Sequence, residues 1–247
     1  MLTGKVALIT GSSKGLGSDI AYRLSSYGAS VIITYNHNKE NAANLCETIM
    51  NTGGKAYSHY LDVTDEGSVK SIIDFIEKEL GRLDILVNNA GIGNPSRIEE
   101  TDEYVWDKHI DINLKGPFLC IKNAINLLQQ SGDGRIVNIS SVAALTGGSF
   151  GPHYASSKAG LIGLTKSAAR DLGKYGISVN IVAPGPIESE MTDSLDNSVL
   201  CEILKSTPHA RFAKMSEISE MVCQLFNPKI NYITGQTIVV DGGRYMI

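Results

Sequence analysis

The sequence predicts an α/β protein of Rossmann type, a doubly wound parallel sheet of seven strands flanked by helices. Three observations carry this expectation. Short apolar, β-branched runs recur along the 247 residues, and near-continuous apolarity suits strands covered on both faces. Helix-length segments with apolar residues three and four apart lie between those runs. The connections are short, and strand–helix alternation of this kind winds into a parallel sheet through right-handed crossovers.

The elements follow in order. Residues 6–10 (Val-Ala-Leu-Ile-Thr) form the first run. Leu16, Ile20 and Leu24 then repeat at four, which marks an amphipathic helix. The second strand is read at 31–35 and a weaker third at 56–60. Val69, Ile72, Ile73 and Ile76 give the next helix its apolar stripe. Residues 85–88 supply the fourth strand. The long helical stretch 102–130 contains Gly116-Pro117, where a bend or break is expected. The fifth strand is read at 136–140. Pro152 opens another helix, as proline does in a first turn. Strands at 179–183 and 237–240 complete the set. Between them, 188–207 is polar, weakly periodic and preceded by Pro184-Gly185-Pro186; it reads as a substrate-binding flap. Neither a linker nor an internal repeat interrupts the chain, so 1–247 is read as a single dinucleotide-binding and catalytic domain.

Composition narrows the function classes. Lys and Arg number 22 against 26 Asp and Glu, a net charge of −4. That balance argues against a nucleic-acid or anionic-membrane binder, which needs clustered cations. Cys46, Cys120, Cys201 and Cys223 form no closely spaced pair, so no metal site and no disulfide framework is expected. With no leader and no apolar run near the ~20 residues of a membrane helix, the expected compartment is the cytoplasm. Glycine is abundant, at 25 residues, which points to positions of close backbone approach.

The first strand runs into Gly11-Ser12-Ser13-Lys14-Gly15-Leu16-Gly17 and then a helix. Glycines at a strand-to-helix turn let a pyrophosphate approach the backbone and the helix N-terminus. The spacing is neither that of the long dehydrogenases nor that of a nucleotide triphosphate loop. The second strand ends Tyr35-Asn36 without the acid that would select a free ribose 2′-hydroxyl. Together with Lys14, this favours NADP(H) over NAD(H).

Tyr154 and Lys158 are four apart on a helix and share a face. An ammonium beside a phenol lowers the phenol pKa, which suits proton transfer near neutral pH. Ser141 ends the preceding strand, where its hydroxyl can hold a carbonyl oxygen. His153, the neighbour of Tyr154, points elsewhere on the helix and reads as a packing or site-mouth residue.

With these segments the chain resembles the single-domain short-chain dehydrogenase/reductases. The matching motifs are Thr10-Gly11-x-x-x-Gly15-x-Gly17, Asp62-Val63, Asn88-Asn89-Ala90-Gly91, Asn113, Ser141, Tyr154-x-x-x-Lys158, Pro184-Gly185, Ile233-Thr234-Gly235-Gln236 and Val240-Asp241-Gly242-Gly243. The pattern is most similar to the branch of 3-oxoacyl-[acyl-carrier-protein] reductases. The resemblance implies Tyr154 as general acid/base, Lys158 as its pKa-lowering partner and ribose ligand, Ser141 as the carbonyl-orienting hydroxyl, and Asn113 as part of a proton relay. It implies cofactor contacts from Gly11, Ser13, Lys14, Gly15, Leu16, Gly17, Asn36, Asp62, Val63, Asn89, Ala90, Gly91, Pro184, Gly185, Ile187 and Thr192. It further implies a homotetramer.

The expected activity is NADPH-dependent reduction of a ketone, with a 3-oxoacyl thioester or a related fatty-acid or polyketide-type intermediate as substrate and an acyl carrier protein as a candidate partner. Two positions that are often arginine in bacterial members are Gly132 and Tyr175 here, so Arg135 and Lys174 are the nearby candidates for docking a carrier. Leu195, Val199, Leu200 and Ile203 of the flap are the candidate apolar pocket residues. Two alternatives share the dinucleotide fold: an alcohol, sugar or steroid dehydrogenase with the same Ser-Tyr-Lys site, and a non-catalytic dinucleotide-sensing interaction protein. The intact set of Asn113, Ser141, Tyr154 and Lys158 argues against the sensor, which has no chemical need for a perturbed tyrosine.

Overall fold

The structure is a computed structural model and describes residues 1–189, 192 and 195–246. Seven parallel strands, β1 (Val6–Ile9), β2 (Ser30–Tyr35), β3 (Lys55–Tyr60), β4 (Ile85–Asn88), β5 (Arg135–Ile139), β6 (Ser178–Pro184) and β7 (Thr237–Val240), form one sheet in the order β3-β2-β1-β4-β5-β6-β7. Chain order reverses direction between β1 and β4. In a doubly wound sheet that switch point, at the carboxyl ends of the strands, is where a ligand crevice forms.

Both faces of the five central strands are dry, which explains their near-continuous apolar runs. Leu8, Ile32, Leu86 and Ile136 point to one side. They pack against Ile72 and Ile76 of α3 (Glu66–Leu80), Leu119 and Leu128 of α5 (Gly116–Gln130), and Leu172 of α7 (Pro152–Leu172), which follows the one-turn α6 (Ala143–Thr146). Ile9, Val31, Ile33, Val87 and Val137 point to the other. They meet Ile20 and Leu24 of α1 (Gly15–Ser26), Ile49 of α2 (Lys39–Asn51), and Val222 of α9 (Met215–Gln224). Helix ends are closed locally. Asp65 accepts from Gly67 N at the start of α3, and Gly81, at φ +69°, ends it.

The irregularity expected at Gly116-Pro117 falls in the turn immediately before it. Helix α4 (Glu103–Ile110) passes into a π turn at Asp111–Lys115 before α5 begins at Gly116, and Pro117 sits in the first turn of α5. The helix is continuous through this point, with Gly116 N donating to Asp111 O, so Pro117 lacks a donor that the preceding turn would otherwise receive, and the widened turn lies where that bond is missing. The widened turn falls on the segment that carries Asn113, and such turns recur at functional sites. The flap region holds α8 (Asn197–Ser206); residues 190, 191, 193 and 194 lie outside the described part.

At the edge of the sheet away from the crevice, Asp84 fixes the start of β1 to the start of β4. Its carboxylate accepts from Val6 N, Lys5 Nζ, and both Nε and Nη2 of Arg82, at 2.6–2.9 Å. Burial pushes this carboxyl up, but the three donors outweigh burial and hold it below the ordinary aspartate value.

Candidate active site

The turn after β1 is built by hydroxyls on neighbouring strands. Thr34 of β2 accepts from Gly11 N at 2.8 Å and donates to Ile9 O at 3.0 Å. Ser12, fully buried, donates to Ile9 O and accepts from Thr34 N. Thr10 Oγ1 accepts from the amides of both Asn89 and Ala90, at 3.0 and 2.9 Å. Asn89 Nδ2 returns to the carbonyls of Thr10 and Gly11. The glycines are required here. Gly11 has φ +62° and a Cβ there would come 2.8 Å from Ala90 Cα; a Cβ on Gly17 would overlap Asn89 Nδ2 and Gly11 O. Gly15, φ +61°, has open space where its Cβ would be. The result is a concave backbone at a helix N-terminus, fit for a pyrophosphate.

This turn opens into a cleft of about 1520 Å³ at the carboxyl edge of the sheet. One end is lined by Gly11, Ser13, Lys14, Gly15, Leu16 and Asn36, with His37 and Tyr60 beside them. Asp62, Val63, Asn89, Ala90 and Gly91 line the middle. Asp62 makes a local turn, accepting from Thr64 N and Thr64 Oγ1 at 2.9 and 2.7 Å. The other end holds Ser141, Tyr154, Lys158, Pro184, Gly185, Ile187 and Thr192. Thr192 donates its hydroxyl to Ile187 O at 2.6 Å. Gly185 permits close approach to the end of β7, since a Cβ would lie 2.7 Å from Asp241 Cα. Leu195 and Ile203 reach the cleft, whereas Val199 and Leu200 do not line it.

Two of the expected residues lie beneath the cleft. Gly17 is buried under the glycine turn. Asn113, in the π turn, is also fully buried. Its Oδ1 accepts from Ile92 N at 2.9 Å, and its Nδ2 donates to Ile92 O at 2.9 Å and to Ser157 Oγ at 3.0 Å. A Cβ on Gly91 would sit 3.2 Å from Asn113 Oδ1 and 3.3 Å from Lys158 Nζ, so this glycine is the point at which the two side chains converge.

Lys158 Nζ donates to Ile139 O at 2.9 Å, and Ser140 Oγ donates to Lys158 O. Burial pushes the Lys158 ammonium down to about 8. Tyr154 departs from expectation: burial raises its phenol above the ordinary value, against the lowering effect of the Ser141 hydroxyl. The desolvation of a buried phenolate wins over that single hydrogen bond; Lys158 Nζ, bonded to the Ile139 carbonyl, lies 5.8 Å from the Tyr154 ring centre. A second expectation also fails. Arg135 is buried, pairs with Asp133, and donates Nη1 to the carbonyls of Leu225, Asn227 and Ile230. It is a structural clamp and cannot meet a docking partner. Lys174 is exposed, 4.9 Å over the Tyr175 ring.

Thr34 and Ser157 support the site without any local motif to announce them, and Thr10 and Ser12, though they lie in the glycine turn, give no local sign of the bonds they make. Their partners are brought together only by folding. Among the described residues, no group of three His, Cys, Asp or Glu side chains could hold a metal ion.

Residues 11–244 match a family model described as enoyl-(acyl carrier protein) reductase. The 3-oxoacyl-[acyl-carrier-protein] reductase FabG of Staphylococcus aureus is 43% identical over 242 residues, 98% of either chain. That of Escherichia coli K12 is 39% identical over 244 residues, 99% of this chain and 98% of its own. Among solved structures, a dehydrogenase/reductase from Sinorhizobium meliloti superposes with a TM-score of 0.93 at 36% identity, covering 99% of this chain and 96% of its own. A doubly substituted Serratia marcescens short-chain dehydrogenase/reductase does so with 0.93 at 34%, covering 98% of each.

Proposed function

The chain belongs to the short-chain dehydrogenase/reductase family and is an NAD(P)-dependent oxidoreductase acting on CH–OH and C=O groups; on that premise we propose that it reduces the 3-oxo group of an acyl thioester with NADPH. The observation that carries this reading is the presence of Ser141, Tyr154 and Lys158 at one end of a cleft whose other end is a glycine-lined helix N-terminus. Full-length similarity to 3-oxoacyl-[acyl-carrier-protein] reductases supports the substrate class.

Gly11, Ser13, Lys14, Gly15 and Leu16 would hold the pyrophosphate end of the cofactor. Asn36 and Lys14 would accommodate the 2′-phosphate, Asp62 and Val63 the adenine, and Asn89, Ala90 and Gly91 the adjoining ribose. Pro184, Gly185, Ile187 and Thr192 would flank the nicotinamide. Bound NADPH supplies the hydride. Ser141 donates a hydrogen bond to the ketone oxygen and orients it toward Tyr154. Burial keeps Tyr154 protonated at neutral pH, so it enters the reaction as the acid and gives its phenolic proton to the developing alkoxide. The remaining N–H groups of Lys158 would hold the nicotinamide ribose and steady the charge on Tyr154 Oη once its proton has left. Asn113 fixes the backbone of Ile92 and joins Lys158 to the proton relay.

The acyl carrier protein is a partner in this reading, and the enzyme works in the cytoplasm as a homotetramer. No helix among the described residues is long and apolar enough to cross a membrane. Exposed Trp106 and Phe118 along α4 and α5 supply apolar surface for subunit contact. Sedimentation at micromolar concentration should give a mass four times that of the chain; a monomer overturns the assembly.

The reaction is tested by following nicotinamide absorbance with NADPH and acetoacetyl or longer 3-oxoacyl thioesters. Tyr154→Phe should retain NADPH affinity and lose turnover by about 100-fold or more. A variant that keeps wild-type turnover removes Tyr154 from the chemistry. Absence of turnover by the wild-type enzyme with every 3-oxoacyl thioester removes the substrate class.

A further inference from the structure

Two histidines form a buried pair beside the proposed proton donor. His153, in the first turn of α7, is fully buried, and His109, at the end of α4, is 2% exposed. Their rings meet edge to face with centres 4.0 Å apart. Backbone carbonyls fix both tautomers, because a carbonyl only accepts. His109 Nδ1 lies 2.7 Å from Val105 O and carries the proton there. His153 Nε2 lies 3.1 Å from Asn94 O and carries its proton there. Thr101 Oγ1, 3.5 Å from His153 Nδ1, flanks the ring on its other side. His109 Nε2 is left buried with no partner among the described residues. An aliphatic side chain would fill that space without stranding a polar atom.

Asn94 belongs to the segment 93–101, whose Gly93, Asn94 and Pro95 line the same cleft as Tyr154. The segment has no regular secondary structure of its own and closes on itself at 97–101, where Glu100 N and Thr101 Oγ1 both donate to Arg97 O. Where α7 begins it is pressed against Gly151, φ +99°, on which a Cβ would overlap Ser96 O and approach His153 Cε1 to 3.1 Å. The wall and the helix that carries Tyr154 are thus joined at three points, the Gly151–Ser96 contact, the His153–Asn94 hydrogen bond and the longer approach of Thr101 Oγ1 to His153 Nδ1.

We propose that His153, braced by His109, is a positioning residue that sets the 93–101 wall against Tyr154 and so fixes how the acyl substrate is received. Its Nε2–H fastens the wall, and the His109 ring keeps the donor from turning away. The orphaned Nε2 is the cost of having an aromatic, hydrogen-bonded brace where an aliphatic residue would pack more stably. This inference rests on the proposed reaction only for its kinetic readout.

The test uses His153→Phe, which keeps the ring and removes the donor, His153→Gln, which restores an N–H, and His109→Leu. Amide hydrogen exchange over 93–101, NADPH affinity, and kcat and KM for a short 3-oxoacyl thioester are measured on each. In His153→Phe, exchange over 93–101 should accelerate and KM should rise about five- to tenfold. Its kcat and NADPH affinity should stay within about twofold of wild type. His153→Gln should recover most of the KM, and His109→Leu should show a smaller KM increase with a higher unfolding midpoint. Unchanged exchange and KM in His153→Phe overturn the proposal, as does a parallel loss of NADPH affinity, or a His153→Gln no better than His153→Phe. Should His153→Phe fail to fold, His109→Leu decides alone: a stabilised protein with wild-type KM and exchange refutes the brace. If the wild-type enzyme reduces no thioester, the reaction assignment fails and the exchange measurements still decide the wall.

Discussion

Lys14 stands where phosphate chemistry and cofactor choice meet. It precedes the first turn of α1 with an extended backbone and lines the cleft beside Asn36 and His37. No carboxylate closes β2, so a 2′-phosphate meets no repulsion there. Lys14→Ala should weaken NADPH by about tenfold and NADH by no more than about twofold, measured by fluorescence titration; equal losses would contradict the assignment. At this scale the sequence disclosed those residues whose spacing is local. Tyr154 and Lys158 are one helical turn apart, and the glycines lie within seven residues. The bonds made by the hydroxyls that build the turn were hidden, because Thr34 reaches Gly11 across 23 residues and Thr10 reaches Ala90 across 80. The direction of the Tyr154 shift was hidden for a related reason. It depends on how deeply the phenol is buried.

The β1–α1 unit shows how an element depends on one missing side chain. Gly17 lies inside α1, where alanine is ordinarily the better helix former by about 1 kcal/mol. Here the added methyl would strike Asn89 Nδ2 and Gly11 O, so propensity loses to packing. Gly17→Ala should push the helix N-terminus off the turn, weaken NADPH at least about tenfold and lower the unfolding midpoint. Calorimetry with and without cofactor checks both effects; a more stable, normally binding variant would show that the helix can shift without cost. Strands covered on both faces were the most legible elements, since burial itself writes the apolar run. The edge strand β3, half exposed, read weakly for the same reason. The π turn at Asp111–Lys115 left no mark in the periodicity, because one extra residue in a turn barely displaces an apolar stripe. Helix α9 was also missed. It is ten residues long and buries only Ile218, Ser219, Val222 and Cys223.

Across the whole molecule, stability and chemistry occupy opposite edges of the sheet. Asp84 sits at the edge far from the cleft, and its folded-state pKa is depressed below the ordinary value of 3.8. A depressed carboxyl stabilises the fold above its unfolded pKa and loses that contribution as pH falls through its folded value. Asp84→Asn should therefore cost about 3 kcal/mol at pH 7. It should also flatten the loss of stability that the wild type shows below about pH 4, and leave the KM for NADPH unchanged. Denaturant unfolding at pH 7 and pH 3.5 checks the energies; an unchanged midpoint at pH 7 would show that Lys5 and Arg82 are satisfied without it. The contact of Gly185 with Asp241 has a further consequence, in the order of synthesis. The dinucleotide turn and its supporting strands β1, β2 and β4 are complete once Gly91 has emerged from the ribosome, but Gly185 acquires its neighbour only after Asp241 has followed. A growing chain should thus own a place for the adenosine half of the cofactor long before it can seat the reactive half, and hydride transfer should wait until Asp241 has been made and has folded into place. Limited proteolysis of chains stalled at residue 150 with and without ADP-ribose would show this, and protection equal to that of unbound chains would refute it.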